Sequence, residues 1–494
     1  MPDSSAFSFA NHLSKSTWLL LALLLLVAML VRILPLTYSH FWDETVYLQH
    51  ARIIVDGRSN YDEFLYRPPL LPLLYALGFV VHDDLYTANV VQGIVTSGAV
   101  LFAFLYVRRA FGVAPAICAA LLFAFTPYLV ERSHELLTDM PAVTLMLAAI
   151  WLFDKPGAGF ALLSGVAYAL AVQSRFTSLF LLGYFILVVC LWPTRWRHLI
   201  YLALGAAITI APYLIWVDLH YGSFLIPFAH ARRIVTEWTA PVPASFYFHA
   251  LREIFPINLW LFFGVGTVTA LSRLRELSWS PGTLFSAQSG ERSSQLMRQA
   301  VLLIWGVAFF AYMLTIPHKE VRYLLPLAIP VIVISSLGII TLYRWAMLQA
   351  APVKIAALLF VAIILVVDDA AALKPLAGPV VDESKSATVQ IAEYLRDISS
   401  PADTIYAAHD FPVLAFYSGR RTVSLLTIQE QFEDKWRRAM TAPGFLVDFN
   451  PARITEIHAI NALKPDRVFL DANPNFRAVR VFPTATVYRY EPAR

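Results

Sequence analysis

The sequence predicts an all-α polytopic membrane protein with a small extracytoplasmic α/β domain at its C-terminal end. Three observations lead there. Of the 494 residues, 58% are hydrophobic and only 15% charged, with a mean hydropathy of +0.61, whereas soluble chains sit near roughly 45–50% apolar and about 25% charged. The apolar residues gather into about eleven runs that can cross a bilayer. Beyond Asp368-Asp369 the composition turns soluble. A net charge of +4 gives no basic surface for nucleic acid. Cys118 and Cys190 both lie inside apolar runs and read as small core hydrophobes, not as a disulfide or metal pair.

Lys15 precedes an apolar stretch from Trp18 to Pro35 with no small-x-small cleavage site, so the first run reads as a spanning helix and not a signal peptide. The expected spans are 17–36, 85–107, 113–130, 139–153, 157–173, 176–192, 198–216, 256–272, 299–316, 321–343 and 353–370. Residues 70–81 are apolar but too short to cross. They read as a juxtamembrane or partly inserted helix with Pro68 and Pro69 at its first turn. Skipping them puts Arg108-Arg109, Lys155, Arg195-Arg197, Arg344 and the polar stretch 273–298 on one side. By the positive-inside rule that side is the cytoplasm of a plasma (inner) membrane, and the N-terminus shares it. The outer face then receives 37–69, 131–139, 217–255 and the turn Pro317–Glu320. The first of these is acidic, with Asp43, Glu44, Asp56, Asp62 and Glu63.

The expected division is a transmembrane module over 1–373 and a soluble domain over 374–494. In the latter, 384–398 has helical periodicity and 404–408, 422–426, 467–470 and 479–489 read as strands. No internal repeat and no nucleotide-binding glycine loop is present, which argues against a nucleotide-linked substrate.

Three polar clusters fall on the outer face. Asp43-Glu44 follows the first span beside Trp42 and Tyr47, residues suited to headgroup depth. The bland reading is a solvated loop charge. The functional reading is a carboxylate whose pKa is raised by a low-dielectric interface and a like neighbour, fit for general-base work, with Glu44 as its orienting partner. Glu131–Asp139 joins two spans, and Asp139 before Met140-Pro141 also reads as a helix N-cap. His318-Lys319-Glu320-Val321-Arg322-Tyr323 stands at a membrane entrance, where charges are paired or functional. Lys319 and Arg322 are three apart and share a face if a helix starts there, which suits a phosphate. Arg67 and Arg175 are further outer-face cations, each alone a headgroup contact. His40, His50 and Asp43 match no tight metal-ligand spacing, so both histidines read as solvated loop residues.

Carboxylates and phosphate-suited cations on an outer face, without a nucleotide motif, imply a phosphate-bearing substrate already in the membrane. Departure of a lipid phosphate needs charge neutralisation, so one base and a cationic clamp suffice. Asp43-Glu44, Tyr66-Arg67-Pro68-Pro69, Leu137-Thr138-Asp139 and HKEVRYLLP at 318–326 resemble, in that order, the motifs of the GT-C glycosyltransferases that use polyprenyl- or dolichyl-phosphate sugars. These include the protein O-mannosyltransferases and the lipid A aminoarabinose transferases. HKE is also similar to a motif of lipid-linked mannosyltransferases. The resemblance covers the spans and fades in the C-terminal domain.

It implies inverting transfer of a sugar to a lipid, glycan or protein acceptor, with membrane lipids around and no nucleic acid. Asp43 would be the base and Glu44 its partner. Arg67, Arg175, His318, Lys319, Arg322 and Tyr323 would hold the donor phosphate and headgroup. Asp139, Arg132 and Glu320 would order the acceptor side. No metal is assigned, and a divalent cofactor is left open. Loop 217–255 matches nothing in the family pattern. The competing reading is a transporter or flippase of a lipid-linked glycan, which predicts matching halves with broken helices that this sequence does not show.

Overall fold

The computed structural model describes residues 15–34, 42–57, 67–236, 241–276, 291–356, 359, 387–425, 438–449 and 467–492. The helices are α1 (Lys15–Ile33), α2 (Trp42–Val55), α3 (Leu70–Phe79), α4 (Leu85–Phe111), α5 (Val113–Phe125), α6 (Pro127–His134) and α7 (Asp139–Asp154). They continue as α8 (Ala158–Ser174), α9 (Leu181–Leu191), α10 (Trp196–Tyr221), α11 (Ile226–Thr236), α12 (Phe246–Ile254), α13 (Ile257–Glu276), α14 (Glu291–Thr315) and α15 (Ala328–Met347). Among the described residues, five helices are long and apolar enough to span a membrane, and two sharply bent pairs bring the total to seven. Three further apolar helices are shorter. The expected run 353–370 lies almost wholly outside the described residues.

Breaks in the helices aim the site. α5 and α6 bend by 53° at Thr126-Pro127. Pro127 has no N–H, so the Phe123 carbonyl loses its helical donor. Arg32 of α1 supplies one: its guanidinium donates to Phe123 O (2.8 Å), Ala124 O (3.2 Å) and Ser133 Oγ (3.2 Å). This is a fully buried arginine answered by carbonyls and a hydroxyl. α8 and α10 cross so closely that a Cβ on Gly165 or Gly205 would lie 2.0–2.1 Å from the facing carbonyl, the small-residue contact typical of membrane helices.

Residues 70–79 form a ten-residue helix, as the sequence predicts. Residues 42–55, within the outer loop 37–69 that is expected to carry juxtamembrane helices, form a helix. Asp43 and Glu44 stand in the first turn, where the helix dipole favours them, and Val46, Tyr47, Leu48 and Ala51 are buried.

The C-terminal part holds α16 (Ala387–Ile398), α17 (Phe411–Ser418), α18 (Arg467–Ala472) and a five-stranded sheet in the order β2-β1-β3-β5-β4. β1 (Thr404–Ala407) pairs in parallel with β2 (Arg421–Ser424) and β3 (Gly444–Phe449). β5 (Ala485–Tyr490) runs antiparallel to β3 and to β4 (Phe476–Val481). The expected strand 467–470 is helical. The expected strand 479–489 is two strands broken at Pro483, and β3 was not foreseen. The expected boundary at 373/374 lies outside the described residues.

This domain rests on α2. Trp42 meets Phe411 edge-on at 5.9 Å, and Arg52 lies 3.9 Å over the Phe416 ring while donating to its carbonyl at 2.9 Å.

Candidate functional site

The site forms where α2, the α6–α7 connection, the end of α8 and the turn before α15 meet. Asp43 is its centre. Arg67 donates to Oδ1 at 2.5 Å and Arg322 to Oδ2 at 2.7 Å, so both carboxylate oxygens carry a guanidinium. Burial opposes ionisation of Asp43, but Arg67 and Arg322 outweigh it and hold the carboxyl down at about 2. The sequence expectation of a raised pKa is therefore corrected: the neighbours that matter are cations contributed from distant segments.

Arg322 also donates to Glu320 at 2.5 Å, and Glu320 accepts from the Tyr323 hydroxyl at 2.9 Å, with a His318 ring nitrogen 3.1 Å away. Burial opposes ionisation of Glu320 too, yet Arg322, His318 and Tyr323 keep it far below the ordinary range. The Tyr323 ring carries Arg175 at 4.8 Å, and Arg175 forms an ion pair with buried Asp139. One connected network thus runs from Arg67 through Asp43, Arg322, Glu320, Tyr323 and Arg175 to Asp139.

Asp139 is the first residue of α7, and the N-cap position belongs to Thr138, which makes no side-chain cap. The N-cap reading of Asp139 is corrected by one residue. Glu44 points away from Asp43 and accepts the Leu136 N–H at 2.8 Å, tying α2 to the α6–α7 connection. Arg132 pairs with Glu131 (2.7 Å) and Glu135 (2.6 Å) and stacks on Tyr128, beside the network and not in it. Glu135 is pushed up to about 7 by burial, with Glu44 and Asp139 adding and Arg132 opposing.

Lys319 does not join Arg322. Its ammonium donates to the carbonyls of Ile316 (2.5 Å), Val242 (2.9 Å) and Pro317 (3.4 Å), and the helical turn begins only at Val321. The shared helix face expected for the two cations is not formed. Lys319 instead fastens the outer loop: Val242 N donates to Pro317 O (2.8 Å) and His318 N to Val235 O (3.1 Å). Part of the loop that matched nothing in sequence is therefore bonded to the HKE turn. His50 is a buried residue of α2 and not a solvated loop histidine, its pKa held at about 3 by burial and Arg67. His40 lies outside the described residues. Among the described residues no group of three or more His, Cys, Asp and Glu is placed to hold a metal.

Three supports were not read from the sequence. Gln92 of α4 donates to the carbonyls of Glu135 (2.6 Å) and Leu137 (3.0 Å), and Tyr75 of α3 donates to Gln92 (3.0 Å). Arg32 steadies α6 from below, with His134 bonded to Val31 O at 2.8 Å. Arg32 and Gln92 are polar groups inside apolar runs, the signal that could have found them.

Fold and site define a polytopic membrane protein in which α2, the α6–α7 connection and the turn before α15 share one network of arginines and carboxylates. Residues 66–216 match the family described as dolichyl-phosphate-mannose-protein mannosyltransferase. ArnT from Cupriavidus metallidurans, solved bound to undecaprenyl phosphate, superposes with a TM-score of 0.67 at 14% identity, covering 96% of this chain and 98% of that one. The oligosaccharyltransferase AglB from Archaeoglobus fulgidus, solved with an inhibitory peptide and a dolichol-phosphate, gives 0.58 at 15% identity, covering 88% and 69%. The mycobacterial arabinofuranosyltransferase AftD gives 0.56 at 14% identity, covering 97% and 42%. No curated protein matches by sequence. The chain therefore shares, over nearly its whole length, the fold of these membrane glycosyltransferases.

Proposed function

We propose that this enzyme moves a sugar, with inversion, from a polyprenyl- or dolichyl-phosphate carrier to a hydroxyl of a lipid, glycan or protein acceptor at the extracytoplasmic face. The observation that carries the reading is the convergence of Arg67 and Arg322 on one carboxylate in a half-buried mouth. A phosphate is the natural competitor for that pair, since guanidinium forks bind carboxylate and phosphate alike. When the donor phosphate takes over Arg67 and Arg322, Asp43 loses the cations that suppress its basicity. It then accepts the acceptor's proton while the acceptor oxygen bonds to the anomeric carbon. The bond from that carbon to the phosphate oxygen breaks, and the lipid phosphate leaves as an anion held by the two arginines.

Tyr323 and His318 hold Glu320 so that Arg322 keeps its aim, and Arg175 with Asp139 closes the far side of the mouth. The basic ends of the helices remote from this mouth support its extracytoplasmic placement. The test is sugar transfer by the purified protein in nanodiscs with a polyprenyl-phosphate donor. Arg67→Ala and Arg322→Ala are expected to raise the apparent donor KM by roughly ten- to hundredfold, the worth of a hydrogen bond to a charged group. A change confined to the acceptor KM defeats the assignment.

A further inference from the structure

At the other end of α7, about 22 Å from Asp139 at 1.5 Å rise per residue, stands a second charged cluster that the transfer reaction does not use. Asp154 receives Arg298 on Oδ1 (3.0 Å) and Oδ2 (3.3 Å) and Arg109 on Oδ2 (3.0 Å), with Arg195 3.7 Å from Oδ1. Three guanidiniums therefore share one carboxylate whose oxygens are both occupied, leaving two positive charges without a second acidic partner among the described residues.

Fastening helix ends accounts for part of this. Arg195 donates to the Phe153 and Asp154 carbonyls (3.2 and 3.3 Å), which caps α7, and Arg298 joins Asp154 to α14 while Arg109 joins it to α4. The tie to α4 takes up only the Nε of Arg109. Arg109 engages Asp154 only through Nε, toward both the carboxylate and the carbonyl, and its two terminal nitrogens have no partner among the described residues. The cluster lies at the ends of apolar helices with exposed Trp196 beside it, which is headgroup depth.

We infer that Arg109, Arg195 and Arg298 form a binding site for a phosphate-bearing anion at the end of the bundle opposite the transfer site. Arg109 presents its free fork to the phosphate, and the other two arginines supply the excess charge. A basic pocket between helix ends is the kind of place where anionic headgroups bind. The chemistry is the same for a phospholipid headgroup and for free phosphate, and the experiment separates the two sources.

Full-length protein in neutral detergent is titrated with phosphatidylglycerol, with phosphatidylcholine of the same acyl chains, and with inorganic phosphate against chloride of equal ionic strength. Lipid retention is read by native mass spectrometry and unfolding by tryptophan fluorescence. Wild type is expected to retain phosphatidylglycerol over phosphatidylcholine by roughly tenfold or more, and Arg109→Gln to lose that preference. Arg197→Gln, an exposed cation of the same end, is expected to keep it. A matching shift with inorganic phosphate supports the site and assigns a soluble anion as its occupant. Equal retention of the two lipids without a phosphate effect overturns the inference, as does an equal loss in Arg109→Gln and Arg197→Gln.

Discussion

Asp43→Asn separates the two tasks assigned to this carboxylate. The clamp of Arg67 and Arg322 lowers its pKa from 3.8 to about 2. At about 1.4 kcal/mol per unit, the two arginines favour the charged form by roughly 2–3 kcal/mol net of burial. The donor phosphate has to overcome that preference to take the arginines. Asparagine has nearly the same shape and no charge, so the phosphate meets less competition. Affinity for polyprenyl phosphate should therefore rise in the variant, by on the order of tenfold. Turnover should fall about a hundredfold or more, because the amide cannot accept a proton. The assay is equilibrium binding of radiolabelled polyprenyl phosphate to detergent-solubilised wild type and variant, beside single-turnover transfer. Weaker binding in Asp43→Asn, or transfer near the wild-type rate, would refute the exchange.

Glu135 supplies a pH test. Its carboxyl stands at about 7 against an ordinary 4.5, so the folded state holds a proton that the unfolded chain releases. Stability from this group is complete below 4.5 and is lost as pH rises through 7, by about 3 kcal/mol at most. Glu135→Gln should flatten the dependence of Tm on pH over that window; an unchanged slope shows the burial penalty to be absent. Arg32→Met leaves the Phe123 carbonyl and the Ser133 hydroxyl without the guanidinium and should cost about 2–4 kcal/mol, read as a lower Tm in detergent; no change means that water replaces the arginine. A double-mutant cycle on Trp42→Ala and Phe411→Ala should return a coupling of about 0.5–1.5 kcal/mol, and zero coupling means that the C-terminal domain does not rest on α2 in solution.

The helical body was legible because hydropathy over a long window is a property of the local sequence. Most expected runs correspond to described helices, and the choice to treat 70–81 as a short helix agrees with α3. What failed depended on distant partners. β3 lacks an alternating pattern because all of Gly444–Phe449 is buried between two strands. The bounds of α2 were not legible, because a helix with charges in its first turn, flanked by polar loops, looks like loop until α3 and α17 cover it. At the site, residue types were readable and their pairings were not. Asp43 and Arg322 are 279 positions apart, and nothing local says that Arg322 will reach Asp43 while Lys319, three residues earlier, turns back to the carbonyls of its own turn and the outer loop.

Counting charge along the network explains why these pairings matter. Asp43, Glu320 and Asp139 face Arg67, Arg322 and Arg175, three acids against three arginines, so the network is neutral. On the proposed reaction a carrier-linked sugar brings one negative phosphodiester that shares the arginines. Asp43, released from their pull, regains basicity toward the acceptor hydroxyl. A proton passed between groups inside the mouth leaves its total charge unchanged, so the seated donor acts through the basicity of Asp43, and in this reading deprotonation of the acceptor is tied to the presence of the sugar it attacks. The remote cluster is not balanced in this way. Three arginines on Asp154 are not neutral, and the relief available there is an anion.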